Sequence, residues 1–130
     1  MATEVAVKMT PVLVSFPENV QNGGMVKHII LWTLKPDLSD SEKQKIRREI
    51  KSGLEDLNGK IPGLLNIKVN VDGRLDSSTA DLMLDSTFTD QESLRNYSVN
   101  PLHVAVADSK VRPFAAVRSC LDFEIHQEDE

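Results

Sequence analysis

The chain has 130 residues, of which 40% are hydrophobic and 27% charged, with a formal net charge of −5. That length and balance suit one folded domain with a core of its own and argue against wholesale disorder. The acidic charge argues against a nucleic-acid-binding face and against an anionic membrane surface. No apolar run approaches the roughly 20 residues of a membrane-spanning helix. Aromatic residues make up only 5% of the chain, so the core must be built on Val, Leu, Ile and Ala. Cys120 is the single cysteine, which leaves no intrachain disulfide and no cysteine-based zinc site. A free thiol fits a reducing compartment, and a cytoplasmic protein is expected.

Residues 1–24 read differently from the rest, with Pro11, Pro17 and the pair Gly23-Gly24. Glu4 precedes Lys8, Pro11 breaks the apolar part and the stretch has no Arg, so neither a signal peptide nor a mitochondrial presequence fits. Two readings stay open for it: a short added strand at Val12-Leu13-Val14-Ser15-Phe16, or a mobile tail ending in a Gly-Gly hinge. The compact domain is expected over residues 25–126, followed by an acidic tail at 127–130.

Residues 26–34 alternate as a strand. Val26, His28, Ile30, Trp32 and Leu34 share one face, and Lys27, Ile29, Leu31 and Thr33 the other. Ser39-Asp40-Ser41-Glu42 is a capping box that predicts a helix starting at Asp40. Ile46, Ile50, Leu54 and Leu57 make its apolar stripe, and Asn58-Gly59 stops it. Glu55 and Asp56 read as solvated charges on its wet side, since neighbours in sequence do not face each other on a helix.

A second strand alternates Leu65, Ile67, Val69 and Val71 with polar residues. After a loop from Asp72-Gly73, a third places Leu82, Leu84, Ser86 and Phe88 on one face. Thr89-Asp90-Gln91-Glu92 reads as a second capping box before a short helix ending near Asn100. Pro101 suits the first position of a further helix that runs to about Arg112. Val117, Ser119, Leu121, Phe123 and Ile125 form one face of a last strand, opposite Arg118, Cys120, Asp122 and Glu124.

The order β-α-β-β-α-β predicts an α+β, ferredoxin-like subunit: a four-stranded antiparallel sheet with both helices on one face. The helix-covered face is expected to hold His28, Ile30, Trp32, Ile67, Val69, Leu82, Leu84, Leu121 and Phe123. Ile29, Leu31, Met83 and Cys120 fall on the other. A second copy laying its sheet against this face would cover it, giving a homodimer.

Three histidines could carry chemistry. His126 lies in the tail and reads as solvated. His28 sits on the apolar stripe of the first strand, where a buried imidazole needs a partner or a cavity. His103 lies in the first turn of the Pro101 helix, whose N-terminus disfavours the imidazolium and keeps a ring able to accept a proton. Tyr97 reaches the same cavity if the chain folds back at Asn100-Pro101. There is no phosphate-binding Gly-rich loop, no nucleophile elbow and no His-Glu-x-x-His zinc helix. His28 and His103 have no partner at metal-ligand spacing, so no metal and no cofactor are expected. Cys120 reads as packed rather than reactive.

Two blocks carry a resemblance. Met25-Val26-Lys27-His28-Ile29-Ile30-Leu31-Trp32 and Tyr97-Ser98-Val99-Asn100-Pro101-Leu102-His103-Val104 resemble the two signatures of the stress-responsive dimeric α/β-barrel (Dabb) domain. Their separation and the closing Leu121-Asp122-Phe123-Glu124 agree, and the likeness covers about residues 25–125. It implies a dimer whose sheets form a barrel. One plant member of the family is a polyketide cyclase that closes a ring by aldol chemistry without metal or organic cofactor. By motif, its base falls on His103, its hydrogen-bond partner on Tyr97 and its pocket wall on His28. Asn100 and Leu82 stand where that cyclase has histidines. Some members hold magnesium near the end of the first helix, but Leu57-Asn58-Gly59 does not require it.

The function expected is that of a small stress-responsive barrel protein binding an apolar or aromatic small molecule between sheet and helices, against Trp32, Ile30, Leu82 and Leu84. The alternatives are a cofactor-independent, polyketide cyclase-like lyase using His103, Tyr97 and His28, and, on fold analogy alone, a cofactor-free monooxygenase.

Overall fold

The computed structural model describes residues 24–125; the expectations for the N-terminal stretch up to residue 23, for His126 and for the acidic tail fall outside them. Residues 26–123 form one compact unit. Its elements are β1 (Val26–Leu34), α1 (Asp40–Glu55), β2 (Leu64–Asn70), β3 (Leu82–Phe88), α2 (Gln91–Val99), α3 (Pro101–Val106), a single wide π turn at Ala107–Val111, and β4 (Ala115–Glu124). The strands form one sheet in the order β2-β3-β1-β4, with β3 antiparallel to both β1 and β2. This is the ferredoxin-like arrangement the alternation predicts.

Period-2 patterning decides which side of the sheet is dry. Along β1, Val26, His28, Ile30, Trp32 and Leu34 are all buried. The first four lie across from Phe88, Ser86, Leu84 and Leu82 of β3. Ile46, Ile50 and Leu54 of α1 close over them, joined by Leu57 and Ile61 from the turns that follow. Burying each such aliphatic side chain contributes about 1.5–3 kcal/mol, which outweighs the weak propensities of the short elements. His28 and Ser86 are the polar exceptions; Ser86 is at 0% exposure, and its hydroxyl donates to the His28 carbonyl at 3.1 Å.

The capping box forms as expected: Ser39 Oγ accepts from the Glu42 N–H, and Glu42 accepts from the Ser39 N–H. The second cap differs. Asp90, not Thr89, caps α2 by accepting from the Ser93 N–H, while Thr89 Oγ1 bonds the Ser93 hydroxyl. The acidic side chain is the stronger acceptor for an N-terminal amide.

Three further expectations are corrected. A register irregularity between Leu64 and Asn66 turns Leu64 inward and leaves Leu65 exposed; one extra residue in a strand reverses the faces before it. Glu55 is not merely solvated, because its Oε2 accepts from the Val69 N–H and the Lys51 ammonium, both at 2.8 Å. Burial works against its ionisation, but those two donors win and hold its carboxyl below the usual range.

The third correction matters most for the site. Leu121 and Phe123 do not lie on the helix-covered face; they are 63% and 44% exposed. Asp122 and Cys120 instead reach His28, which places them on the helix side. The Lys35 N–H donates to the Phe114 carbonyl at 2.9 Å, fixing where β4 enters beside β1. With side chains alternating along the strand, that entry point leaves no choice of face.

Candidate functional site

Asn100 makes the corner on which the site depends. It ends α2 in an extended conformation (φ −65°, ψ 130°) and caps α3, its Oδ1 accepting from the Leu102 N–H at 2.9 Å. Pro101 takes the first helical position, where a missing N–H costs nothing. The reversal folds the last turn of α2 onto the first turn of α3. Tyr97 and His103 therefore meet face to face, with ring centroids 4.1 Å apart and tilted by 34°.

His28 approaches from the sheet, its ring centroid 6.2 Å from Tyr97. Phe88 supports both rings edge-on, at 5.0 Å from Tyr97 and 6.3 Å from His28. Between sheet and helices the rings of His28, Tyr97 and His103 border a cavity of about 290 Å³. Ile30, Trp32 and Leu84 line its floor, Leu54 and Leu94 its helix side, and Ala107, Val111 and Ala115 the far wall. Its polar groups are His28, Tyr97, Ser98, His103, Arg112 and Arg118.

The electrostatics set the protonation states. Burial lowers the pKa of His103; the Ser98 backbone opposes this, and the charges of Arg112, His28 and Arg118 reinforce it. The ring is thus held neutral, as expected from sequence, but chiefly by desolvation rather than by the helix end. Burial raises the phenol of Tyr97 well above its ordinary range, against the pull of Arg118, so it stays protonated. Neither Tyr97 Oη nor His103 Nδ1 has a hydrogen-bond partner of good geometry, although both are buried. His28 is tied down instead: its Nδ1–H donates to Asp122 Oδ1 at 2.5 Å, which directs Nε2 as the ring's other nitrogen.

The depressed pKa of His103 makes stability depend on pH in a definite direction. The unfolded chain takes this proton at the ordinary value of about 6.5, the folded protein only at lower pH. The group therefore contributes nothing against unfolding above that value and destabilises the fold progressively as pH falls through it. Melting curves between about pH 8 and pH 5 should show the parent losing stability faster than His103→Gln. Parallel curves would contradict a buried neutral imidazole.

The cavity brings together most of the residues singled out from sequence: His28, Tyr97, His103, Ile30, Trp32 and Leu84. Leu82 is buried in the same core but does not border the cavity. Asp122, Arg118 and Arg112 were missed. Asp122 and Arg118 share a face of β4 in the alternation, and the structure turns that face, not the apolar one, toward the helices.

Residues 26–125 match the Stress responsive A/B Barrel Domain family, Dabb. The chain belongs to this family. No curated protein matches it significantly. Among solved structures it is similar to a dimeric protein of unknown function with a ferredoxin-like fold from Bacteroides fragilis, at 30% identity and a TM-score of 0.73, over 78% of this chain and 97% of that one. It is also similar to the hydroxynitrile lyase of Passiflora edulis (19% identity, TM-score 0.61, 83% and 99% covered). A third similar structure is SnoaB, a cofactor-independent oxygenase from Streptomyces nogalater (13% identity, TM-score 0.56, 81% and 96% covered). The last two likenesses establish a shared fold and nothing of the chemistry. Among the described residues, no helix is long and apolar enough to cross a membrane.

Proposed function

We propose that this Dabb domain binds a small aromatic or largely apolar molecule carrying a carbonyl or hydroxyl group, and that it works as a homodimer. The observation that carries the reading is the pair of buried, unpartnered polar atoms, Tyr97 Oη and His103 Nδ1, beside an otherwise apolar cavity. Leaving such atoms unsatisfied costs about 1–3 kcal/mol each, a cost that a ligand oxygen in the cavity offsets. About 290 Å³ lies at the small end of the roughly 300–1,000 Å³ typical of ligand sites, which favours a single-ring molecule over an extended one. Arg112 and Arg118 in the lining favour an electron-rich end.

The test is a calorimetric titration of the intact protein with monocyclic phenols, aryl ketones and matched hydrocarbons of the same size. Oxygenated members should bind and their hydrocarbon counterparts should not. Equal affinity for both, or binding by neither, would overturn the reading. Tyr97→Phe separates the site from the fold. Because the hydroxyl has no protein partner, the variant should keep or raise its melting temperature while its affinity for the oxygenated ligand falls about tenfold, the equivalent of one hydrogen bond.

A specific observation favours acid–base chemistry on that ligand as a second reading. His103 is neutral and able to accept a proton, while Asp122 holds His28 in one orientation across the cavity. A neutral imidazole suits removal of a proton next to a carbonyl, and the phenol of Tyr97 can steady the resulting oxygen charge. A cyclase-like lyase follows from this arrangement; the monooxygenase alternative has no residue of its own to support it. His103→Ala assayed on β-polyketones should lose turnover while still binding ligand. Unchanged turnover would remove His103 as the base.

A further inference from the structure

At Nδ1 of His28 three side chains of different chemistry converge. His28 Nδ1 and Asp122 Oδ1 are 2.5 Å apart, Cys120 Sγ and Asp122 Oδ1 3.4 Å, and Cys120 Sγ and His28 Nδ1 3.8 Å. We propose that His28 Nδ1, Cys120 Sγ and Asp122 Oδ1 form a three-ligand site for a divalent first-row transition metal of the zinc type, with the fourth position open to solvent.

The distances support it. A tetrahedral ion with bonds of about 2.0–2.3 Å to N, O and S sets its ligand atoms roughly 3.3–3.7 Å from one another. The two edges involving sulfur already lie close to that range. The third is short because a proton sits on it. An ion takes the place of that proton and needs the edge to open by a little under about 1 Å. Asp122 has room to move, with its side chain 44% exposed, whereas His28 is fixed by the core at 8%.

The topology supports it as well. Cys120 and Asp122 are two apart on β4 and so project from the same face. β1 is the sheet neighbour of β4 and supplies His28 from alongside. A thiolate, an imidazole and one carboxylate select zinc, cobalt or nickel over magnesium and calcium, which prefer oxygen ligands throughout. A single cysteine does rule out a multi-cysteine site, but a mixed set needs only one, so the expectation of no cysteine-based zinc site was too broad. Arg118, which interacts with Cys120, opposes the incoming charge and weakens the site. On binding, the ion displaces the thiol proton of Cys120 and the Nδ1 proton of His28. No redox change is involved.

The site uses the Nδ1 side of His28, and its test does not require a ligand in the cavity. The test uses the full chain, stripped with a chelator and titrated with Co²⁺. Cys120 is the chain's only cysteine, so a thiolate-to-cobalt charge-transfer band can arise from this site alone. The band should saturate at one equivalent per chain and be displaced by Zn²⁺. Cys120→Ser should abolish it, and Asp122→Ala should weaken binding at least tenfold; both positions are exposed, and far-ultraviolet circular dichroism should show both variants folded. Cobalt bound without the band would place the ion elsewhere, on the histidine or acids of the tail, and overturn the proposal. So would a band whose affinity is unchanged by Asp122→Ala, or no binding at millimolar metal.

Discussion

Replacing Leu121 and Phe123 together with aspartate should leave the protein folded and monomeric. Both side chains project from the uncovered face of β4, 63% and 44% exposed, and Val117 at 55% and Leu31 at 43% add to the exposed apolar surface of the sheet. A face of that composition, with helices on the opposite side only, is unstable toward association. A stable dimer buries roughly 1,200–2,000 Å² in all, an area that one sheet face laid against its copy can supply. Two carboxylates per chain, meeting their symmetry mates in a desolvated seam, would cost several kcal/mol. Light scattering after size exclusion should give one chain's mass for the double variant and two chains' mass for the parent. Leu75→Asp makes the control: Leu75 is 69% exposed but lies in the loop between β2 and β3, and its replacement should change nothing. A parent that runs as a monomer, or a double variant that still dimerises, would refute the sheet-to-sheet pairing.

Phe88→Ala should destabilise the fold by about 3–5 kcal/mol, the range for deleting a buried aromatic ring. Phe88 is at 0% exposure and closes β3, opposite both Val26 and Leu64. In a domain of this size each kcal/mol moves the melting temperature by roughly 4–8 °C, so a loss of about 12–40 °C is expected. The same variant should also lose ligand affinity beyond its stability loss, because the Phe88 ring supports Tyr97 at 5.0 Å and His28 at 6.3 Å. Urea unfolding gives the stability term, and calorimetry below the new transition gives the binding term. A loss under about 1 kcal/mol would mean that the core repacks around the gap and that Phe88 does not brace the site.

The strands and helices were legible because their periods are strong. β1 alternates over nine residues without a break, and α1 carries a capping box and a full apolar stripe. The corner at Asn100-Pro101 could be read from two residue types with fixed backbone habits. What could not be read was phase between elements. β4 is amphipathic in the opposite sense to an ordinary core strand: its apolar side faces outward and its polar side meets His28. Alternation shows that a strand has two faces but carries no label for which is inside. The irregularity at Leu64 and Asn66 defeated the same rule over a shorter stretch. Asp122 escaped notice for this reason, although its partner His28 was identified. The stacking of Tyr97 on His103 was anticipated only as a consequence of the chain folding back, and the corner supplies that fold.

The wide turn at Ala107–Val111 has a consequence for how this domain could diversify. Such a turn is an α-helix with one residue inserted, and it commonly marks functional sites. Here its two buried residues, Ala107 and Val111, both border the cavity. Deleting one residue there would restore ordinary helical winding and swing different side chains into the chamber, while every strand kept its register. A single-codon indel in this segment would thus reshape the cavity without disturbing the sheet. The turn begins where the Ala107 N–H meets the His103 carbonyl, so such a change would act next to that ring.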